Sequence, residues 1–127
     1  MSVHRSVSLL AAFRHAFAGW RHALQTQRNA RIHAAASAVV VALALWLRLG
    51  WSEWALLTLA MGVVWMAEAL NTALEAVVDL ASPDEHPLAR VGKDVGAAAV
   101  LVAALTAAGV GAFVLGPPLL ARLTGLP

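Results

Sequence analysis

The longest uncharged segment of the sequence decides what the chain can fold into. No residue from Val95 to Ala121 carries a charge, and the segments between His33 and Arg48 and from Trp54 to Ala67 are also apolar and uncharged. A helix needs about 20 apolar residues to cross the hydrocarbon core of a bilayer. Charged residues make up 13% of the chain, whereas a typical soluble domain has about 25%. These features predict an all-α membrane protein with three transmembrane helices.

Residues 1–32 follow a different pattern. Apolar side chains recur there at steps of three and four residues, with arginine and histidine between them, which is the period of a helix lying in the membrane interface. The apolar positions are Leu9, Leu10, Phe13, Phe17, Trp20 and Leu24. Nucleic-acid binding would need more charge and fewer apolar neighbours. We therefore expect an N-terminal amphipathic surface helix over residues 1–32 and no nucleic acid as a partner.

The length of the chain leaves room for a single domain over residues 1–127. Helices containing the membrane spans are expected at about 33–49, 53–80 and 90–116, with Pro117 and Pro118 ending the third. The segment 81–90 contains two prolines and is expected to be a loop. Arginine is concentrated before the first span, so the positive-inside rule predicts a multi-pass protein with a cytoplasmic N-terminus and an external C-terminus.

Four polar residues follow the second apolar segment at helical spacing. Glu68, Asn71, Glu75 and Asp79 fall within about 80° of one another on a helix that turns 100° per residue. Three carboxylates on one face repel each other, and at membrane depth they also lose hydration, so the arrangement calls for a cation or a cationic ligand. Lys93, the only lysine in the chain, follows soon after and stands beside Asp94. A lysine suits a phosphate group, and carboxylates suit Mg²⁺.

Less specific interpretations of the same residues stay open. Acidic residues near a helix end are often simply solvated, and His33 and His86 are typical of interface or loop positions because no second histidine stands at ligand spacing. A non-catalytic membrane protein, such as a divalent-cation carrier that uses the acidic helix face, is an alternative function, but a carrier would need polar positions in every span, and the third segment offers only Thr106. The sequence has no phosphate-binding loop of the GxxxxGK[ST] type and no nucleophile set of a hydrolase.

Two motifs resemble the prokaryotic diacylglycerol kinase family of small trimeric membrane kinases, which includes the undecaprenol kinases. Residues 68–79 read EALNTALEAVVD and resemble the signature E-x-x-N-[ST]-A-x-E-x-x-x-D, and residues 89–100 read ARVGKDVGAAAV and resemble the second family block. Residues 13–19 and 28–33 also look like family segments, so the resemblance runs from about Phe13 to Gly116. It implies a lipid kinase that phosphorylates a lipid hydroxyl with ATP and Mg²⁺ in the cell inner membrane.

The resemblance also implies roles for individual residues. Glu68 is the expected general base, Asn71 orients the reacting groups, and Lys93 neutralises the transferring phosphoryl group. Asp79, Asp94 and His86 are expected to contact the nucleotide together with Lys93 and Glu75, and Glu75 is the expected principal metal ligand. Gln27 stands where the family typically has a second metal-binding glutamate; an amide oxygen can coordinate Mg²⁺ but adds no charge.

Substrate and assembly are also expectations from the resemblance. The acceptor is diacylglycerol or undecaprenol; residues 28–33 and 82–87 look more like the undecaprenol kinase branch, but no residue identifies the lipid tail. Three helices with one acidic face offer few walls for a nucleotide. We therefore expect a homo-oligomer whose active sites are shared between subunits, and the resemblance implies a homotrimer; the expected partners are the lipid substrate, ATP and membrane lipids.

Overall fold

A computed structural model describes residues 8–125, which form four α-helices and no strand. The helices are α1 (Leu9–Thr26), α2 (Arg28–Leu47), α3 (Trp51–Ala81) and α4 (Pro87–Thr124). Within this part of the chain, α2, α3 and α4 are long and apolar enough to cross a membrane. The expected fold class, three spanning helices after an N-terminal helix, is confirmed. Residues 1–7 of the expected surface helix and the last two residues of the expected domain lie outside the described part of the chain.

A single extended residue, Gln27, separates α1 from α2. Its φ and ψ angles are −98° and 121°, and its backbone N–H donates to the carbonyl of Ala23 at 2.8 Å. The first spanning helix therefore begins at Arg28, five residues before the expected position near His33. Neither proline nor glycine marks this break, so local sequence gives no signal for it. The other end of α1 has a conventional signal, because the Ser8 hydroxyl accepts a hydrogen bond from the N–H of Ala11.

Helices α3 and α4 form an antiparallel hairpin that carries most of the polar residues at its closed end. The connecting loop is short because Ser82 caps α3, His86 caps α4, and Pro87 occupies the first turn of α4, where a missing N–H costs nothing. The helices approach closely where Gly96 of α4 faces Asn71 of α3. The loop and the acidic part of α3 therefore belong to the same end of the molecule.

The expectation that Pro117 and Pro118 end the third span is wrong. Helix α4 continues through both prolines to Thr124. Proline removes a backbone donor, but membrane helices tolerate it where neighbouring elements support the backbone. Here Leu115 is buried against Ala44 and Leu57 just before the prolines. Beyond the prolines, the Arg122 guanidinium lies 5.3 Å from the centre of the Trp46 ring. Contacts with α2 thus hold α4 on both sides of the proline pair.

A tryptophan pair joins α1 to the spanning helices. The rings of Trp20 and Trp65 meet edge to face with centroids 5.1 Å apart, and Nε1 of Trp65 donates to Oγ of Ser37 at 3.1 Å. Most large apolar side chains of the spans are instead exposed, including Val102, Leu105 and Phe113. Such a surface is stable in contact with lipid rather than water.

Candidate active site

Glu68 and Asn71 lie one helical turn apart on the packed face of α3. Glu68 is 1% exposed and Asn71 is 7% exposed. Among residues 8–125, Oε2 of Glu68 and Oδ1 of Asn71 are buried polar atoms that have no hydrogen-bond partner. Buried polar groups normally have partners, and an unpartnered one is costly. These two oxygens are therefore the first candidates for contact with a bound group.

The carboxylate of Glu75 is held on both sides by amide groups. Nδ2 of Asn71 donates to Oε1 at 3.1 Å, and Nε2 of Gln27 donates to Oε2 at 3.0 Å. Asn71 reaches Glu75 from the preceding turn of α3, whereas Gln27 reaches it from the break between α1 and α2. The two residues expected to bind metal, Gln27 and Glu75, are thus in direct contact. Hydrogen bonds to a charged acceptor are among the stronger ones, so this carboxylate has a fixed orientation.

One turn further along α3, Asp79 forms an ion pair with Lys93 of α4. Both side chains remain accessible, with 40% of Lys93 and 64% of Asp79 exposed. An exposed ion pair of this kind contributes at most about 1 kcal/mol to stability. The lysine is therefore available to a stronger anion, such as a phosphate group.

Asp79 and Lys93 also line a cavity of about 610 Å³ beneath the loop between α3 and α4. Asp94 and His86, the other residues expected to contact nucleotide, line the same cavity. The His86 ring has a structural task as well, because its Nδ1 accepts a hydrogen bond from the N–H of Leu88 and caps α4. All the expected nucleotide contacts except Glu75 therefore surround one open cavity.

The polar residues divide into two groups along the helix pair. The first contains Glu68, Asn71, Glu75 and Gln27, and the second is the cavity around Lys93. Because Asn71 faces Gly96 across the helix contact, Glu68 and Lys93 differ in height by six helical residues, or about 9 Å at 1.5 Å per residue. The structure does not bring the expected base and the expected phosphate-binding lysine into contact within one chain.

The donor set at Glu75 fits Mg²⁺ rather than a metal that needs a full protein cage. Within residues 8–125, no group of three or more His, Cys, Asp or Glu side chains is placed to hold a metal ion. Mg²⁺ needs only one or two carboxylates because water and phosphate oxygens complete its coordination. Glu75 supplies one carboxylate, whose two oxygens accept hydrogen bonds from the amide N–H groups of Asn71 and Gln27, while Oδ1 of Asn71 faces Gly96. A single carboxylate is the minimum that Mg²⁺ needs from a protein.

Some residues of the site were not expected from the sequence. Arg90 and Ser82 line the cavity beside Lys93, and Gly96 packs against Asn71. The arginine could have been found by helical spacing, since it precedes Lys93 by three residues. The partner of Gly96 depends on the register between α3 and α4, which the sequence alone does not fix.

Comparison with known proteins identifies the family of the chain. A sequence profile of the prokaryotic diacylglycerol kinase family matches residues 14–115. A diacylglycerol kinase of Synechocystis sp. is 46% identical over 117 residues, covering 91% of this chain and 67% of the relative. The undecaprenol kinase of Bacillus subtilis is 37% identical over 108 residues, covering 85% of this chain and 88% of the relative. The Escherichia coli diacylglycerol kinase is 33% identical over 99 residues, covering 78% of this chain and 81% of the relative. The matched region contains α2, α3 and both groups of polar residues, and the chain therefore belongs to the prokaryotic diacylglycerol kinase family.

Proposed function

We propose that this protein is a lipid kinase that transfers a phosphoryl group from ATP to the hydroxyl of a membrane lipid, either diacylglycerol or undecaprenol. The observation that carries the proposal is the family membership of residues 14–115. Relatives are named for each of the two acceptors. A divalent-cation carrier is not favoured, because Thr106, the polar residue of the third span, donates to the carbonyl of Val102 on its own helix.

Glu68 is the proposed general base. A base must lie within hydrogen-bond reach of the proton that it accepts, and Oε2 of Glu68 has no partner among residues 8–125. The surrounding helices exclude water from this carboxylate, because its side chain is 1% exposed. A hydroxyl can donate to this buried oxygen only when the side chains that cover it move aside, and it would then be held at a dry position, where electrostatic interactions are strong and hydrolysis does not compete.

Lys93 is the proposed phosphate contact. Phosphoryl transfer depends on positioning and on neutralising charge more than on covalent catalysis by the protein. In the structure the Lys93 ammonium forms an ion pair with the Asp79 carboxylate. Phosphate binding at Lys93 therefore requires the Asp79 carboxylate to turn away, and its exposure leaves it free to do so.

Glu75 is the proposed metal ligand, and Gln27 would become a second ligand if its amide turned its oxygen, rather than the N–H that now donates to Glu75, towards the ion. When bound, Mg²⁺ would neutralise phosphate oxygens and orient them towards the acceptor. The two amides that fix the Glu75 carboxylate reduce the reorganisation needed when the charge of the site changes.

Assembly as a homotrimer in the cell inner membrane completes the proposal. The height difference of about 9 Å between Glu68 and Lys93 within one chain supports a site shared between subunits. Exposed apolar side chains along α2, α3 and α4 supply surface for such contacts. The concentration of arginine before the first span supports a cytoplasmic N-terminus and an external C-terminus.

The purified protein should incorporate labelled phosphate from ATP into a lipid extract. Chromatography of the labelled product would distinguish a phosphorylated diacylglycerol from a phosphorylated polyprenol. Glu68→Gln should abolish the labelling, because an amide of the same shape accepts no proton at neutral pH. Glu53→Gln is a matched control, since it makes the same change at the opposite end of α3. Turnover of Glu68→Gln within a few-fold of the parent would refute the general-base role.

A further inference from the structure

Gly96 of α4 packs tightly against the polar face of α3. A Cβ atom placed on Gly96 would overlap Oδ1 of Asn71 and would lie 3.0 Å from Cδ2 of Leu74 and 3.4 Å from Cγ of Asn71. Side-chain carbon atoms do not approach an oxygen as closely as the first of these contacts requires. Gly96 is also buried, as Asn71 is. The Asn71 side chain therefore occupies the space that a methyl group would fill.

Other glycines of the same helix do not have this property. One turn earlier, a Cβ on Gly92 would lie 4.0 Å from Cγ2 of Val78, which is an ordinary van der Waals contact. Towards the opposite end, Gly109, Gly111 and Gly116 would have no described atom within 4 Å of an added Cβ. The constraint at Gly96 thus comes from its partner on α3 rather than from helix packing in general.

The side chain that Gly96 accommodates is the one that orients Glu75. Nδ2 of Asn71 donates to Oε1 of Glu75 at 3.1 Å, while Oδ1 of Asn71 faces the backbone of Gly96. The amide is therefore confined by a hydrogen bond at one end and by a backbone at the other. We propose that Gly96 is a positioning residue: its bare Cα sets the rotamer of Asn71, and through Asn71 it sets the direction of the Glu75 carboxylate. This inference rests on the proposed function for its catalytic consequence.

An alanine at this position is expected to displace side chains rather than helices. The atoms that the new methyl group would meet are the ends of the Asn71 and Leu74 side chains, and both can rotate. Rotation of Asn71 breaks its hydrogen bond to Glu75. Alanine favours helix more than glycine does, so Gly96→Ala keeps α4 intact. We therefore expect the Gly96→Ala variant to fold with the Glu75 carboxylate in a different orientation.

Gly109→Ala is a matched control because it makes the same change on the same helix where an added Cβ meets no described atom. The chain contains two asparagines, Asn29 and Asn71. Labelling asparagine with ¹⁵N therefore gives two side-chain amide signals, and exposed Asn29 serves as an internal reference. In detergent micelles, Gly96→Ala should shift the Asn71 amide signal and leave that of Asn29 in place. Gly109→Ala should shift neither signal.

In the lipid phosphorylation assay, Gly96→Ala should lower kcat by about a hundredfold, the loss expected when a reacting group is misplaced by about 1 Å. Binding of ATP in the absence of Mg²⁺ should change by less than about threefold, because Gly96→Ala does not alter the residues that line the Lys93 cavity. Parallel loss of kcat and of ATP binding would indicate displacement of the whole helix and would overturn the proposal. Activity of Gly96→Ala equal to that of Gly109→Ala would overturn it as well.

A second variant covers the case in which Gly96→Ala does not fold. Removing the amide with Asn71→Ala should leave only the 3.0 Å contact with Cδ2 of Leu74, so Gly96→Ala should cost less thermal stability in that background than in the parent. An equal loss in the two backgrounds contradicts the role of Asn71. The amide signals and the melting comparison do not depend on kinase activity. If the parent protein phosphorylates no lipid, the proposed function fails while these two measurements still decide the role of Gly96.

Discussion

Replacing Gln27 with glutamate should tighten magnesium binding and lower the thermal stability of the metal-free protein. Gln27 donates a hydrogen bond to Oε2 of Glu75 at 3.0 Å. Glutamate at this position removes the donor and places a second carboxylate beside the first. Without metal, two negative charges then share a half-buried position. With Mg²⁺ bound, the same two charges would face a divalent cation.

The expected magnitudes follow from these distances. Two unit charges about 3 Å apart repel by about 5 to 6 kcal/mol at an effective dielectric constant of about 20. The lost hydrogen bond to a charged acceptor adds about 1.5 to 3 kcal/mol. A divalent cation about 4 Å from the new carboxylate attracts it by about 8 kcal/mol at the same dielectric constant. Screening at these partly exposed side chains and dehydration of the ion remove much of this attraction. A tenfold gain in Mg²⁺ affinity needs only about 1.4 kcal/mol of the attraction to remain.

A magnesium titration at fixed ATP and lipid measures the affinity, and thermal unfolding without and with Mg²⁺ measures the stability. Gln27→Glu should reach half-maximal lipid phosphorylation at a Mg²⁺ concentration at least about tenfold lower than the parent. Its unfolding midpoint should be lower without Mg²⁺ and should rise more when Mg²⁺ is added. Gln25→Glu is the matched control, because it adds the same charge to exposed α1 two residues earlier.

Three results would contradict this reasoning. An unchanged magnesium midpoint with an unchanged metal-free stability would mean that Gln27 does not face Glu75. A lower stability that Mg²⁺ fails to restore would mean that the two side chains are in contact but that the metal binds elsewhere. Equal effects of Gln25→Glu and Gln27→Glu would reduce the result to a general effect of charge on the membrane surface.

The remaining predictions concern phosphate contact, assembly and helix docking. Lys93→Met should abolish turnover with little effect on lipid binding, since its charge acts on phosphate; persistent ATP turnover in a lipid kinase assay would show that the phosphate contact is elsewhere. Mixed oligomers of Glu68→Gln and Lys93→Met chains should regain activity if each site uses residues of two subunits, and silence at every mixing ratio would contradict shared sites. Ser37→Ala should lower the free energy of unfolding by about 1 kcal/mol because it removes the acceptor of the Trp65 hydrogen bond; Trp65→Phe should cost more because it also shrinks the ring that contacts Trp20, and thermal unfolding of the double variant should show less than the sum of the two losses.

The spanning helices could be predicted from the sequence because the requirement for them is local. Apolar length and the absence of charge identify α2, α3 and α4 without knowledge of their neighbours. Two helix boundaries could not be predicted in the same way. They are the end of α1 at Gln27 and the end of α4, which lies beyond Pro117. Gln27 is held by a contact with Glu75, 48 residues away along the chain, and the continuation after Pro117 is held by contacts of α4 with α2. In both cases tertiary contacts outweigh local preference.

The polar face of α3 was visible in the sequence as a spacing of three and four residues. Spacing does not say which members of the face are buried. Glu68 and Asn71 are covered by neighbouring helices, whereas Asp79 is exposed and paired with Lys93. That difference depends on where α4 and the junction of α1 and α2 lie against α3. The resemblance to a family supplied roles for these residues, and the structure supplies the distances that make the roles testable.

Two contacts with α3, one from α1 and one from the residue that ends it, limit how far the length of the chain between them can vary. Trp20 touches Trp65 and Gln27 touches Glu75. Gln27 is the residue that ends α1, seven positions after Trp20, so about two turns of α1 separate the two contacts. Deleting or inserting one codon between them would rotate one contact by about 100° relative to the other, and both could not form together. Codons upstream of Trp20 carry no such constraint within the described chain. Length changes in functional variants should therefore accumulate before Trp20 and be absent between the two contacts.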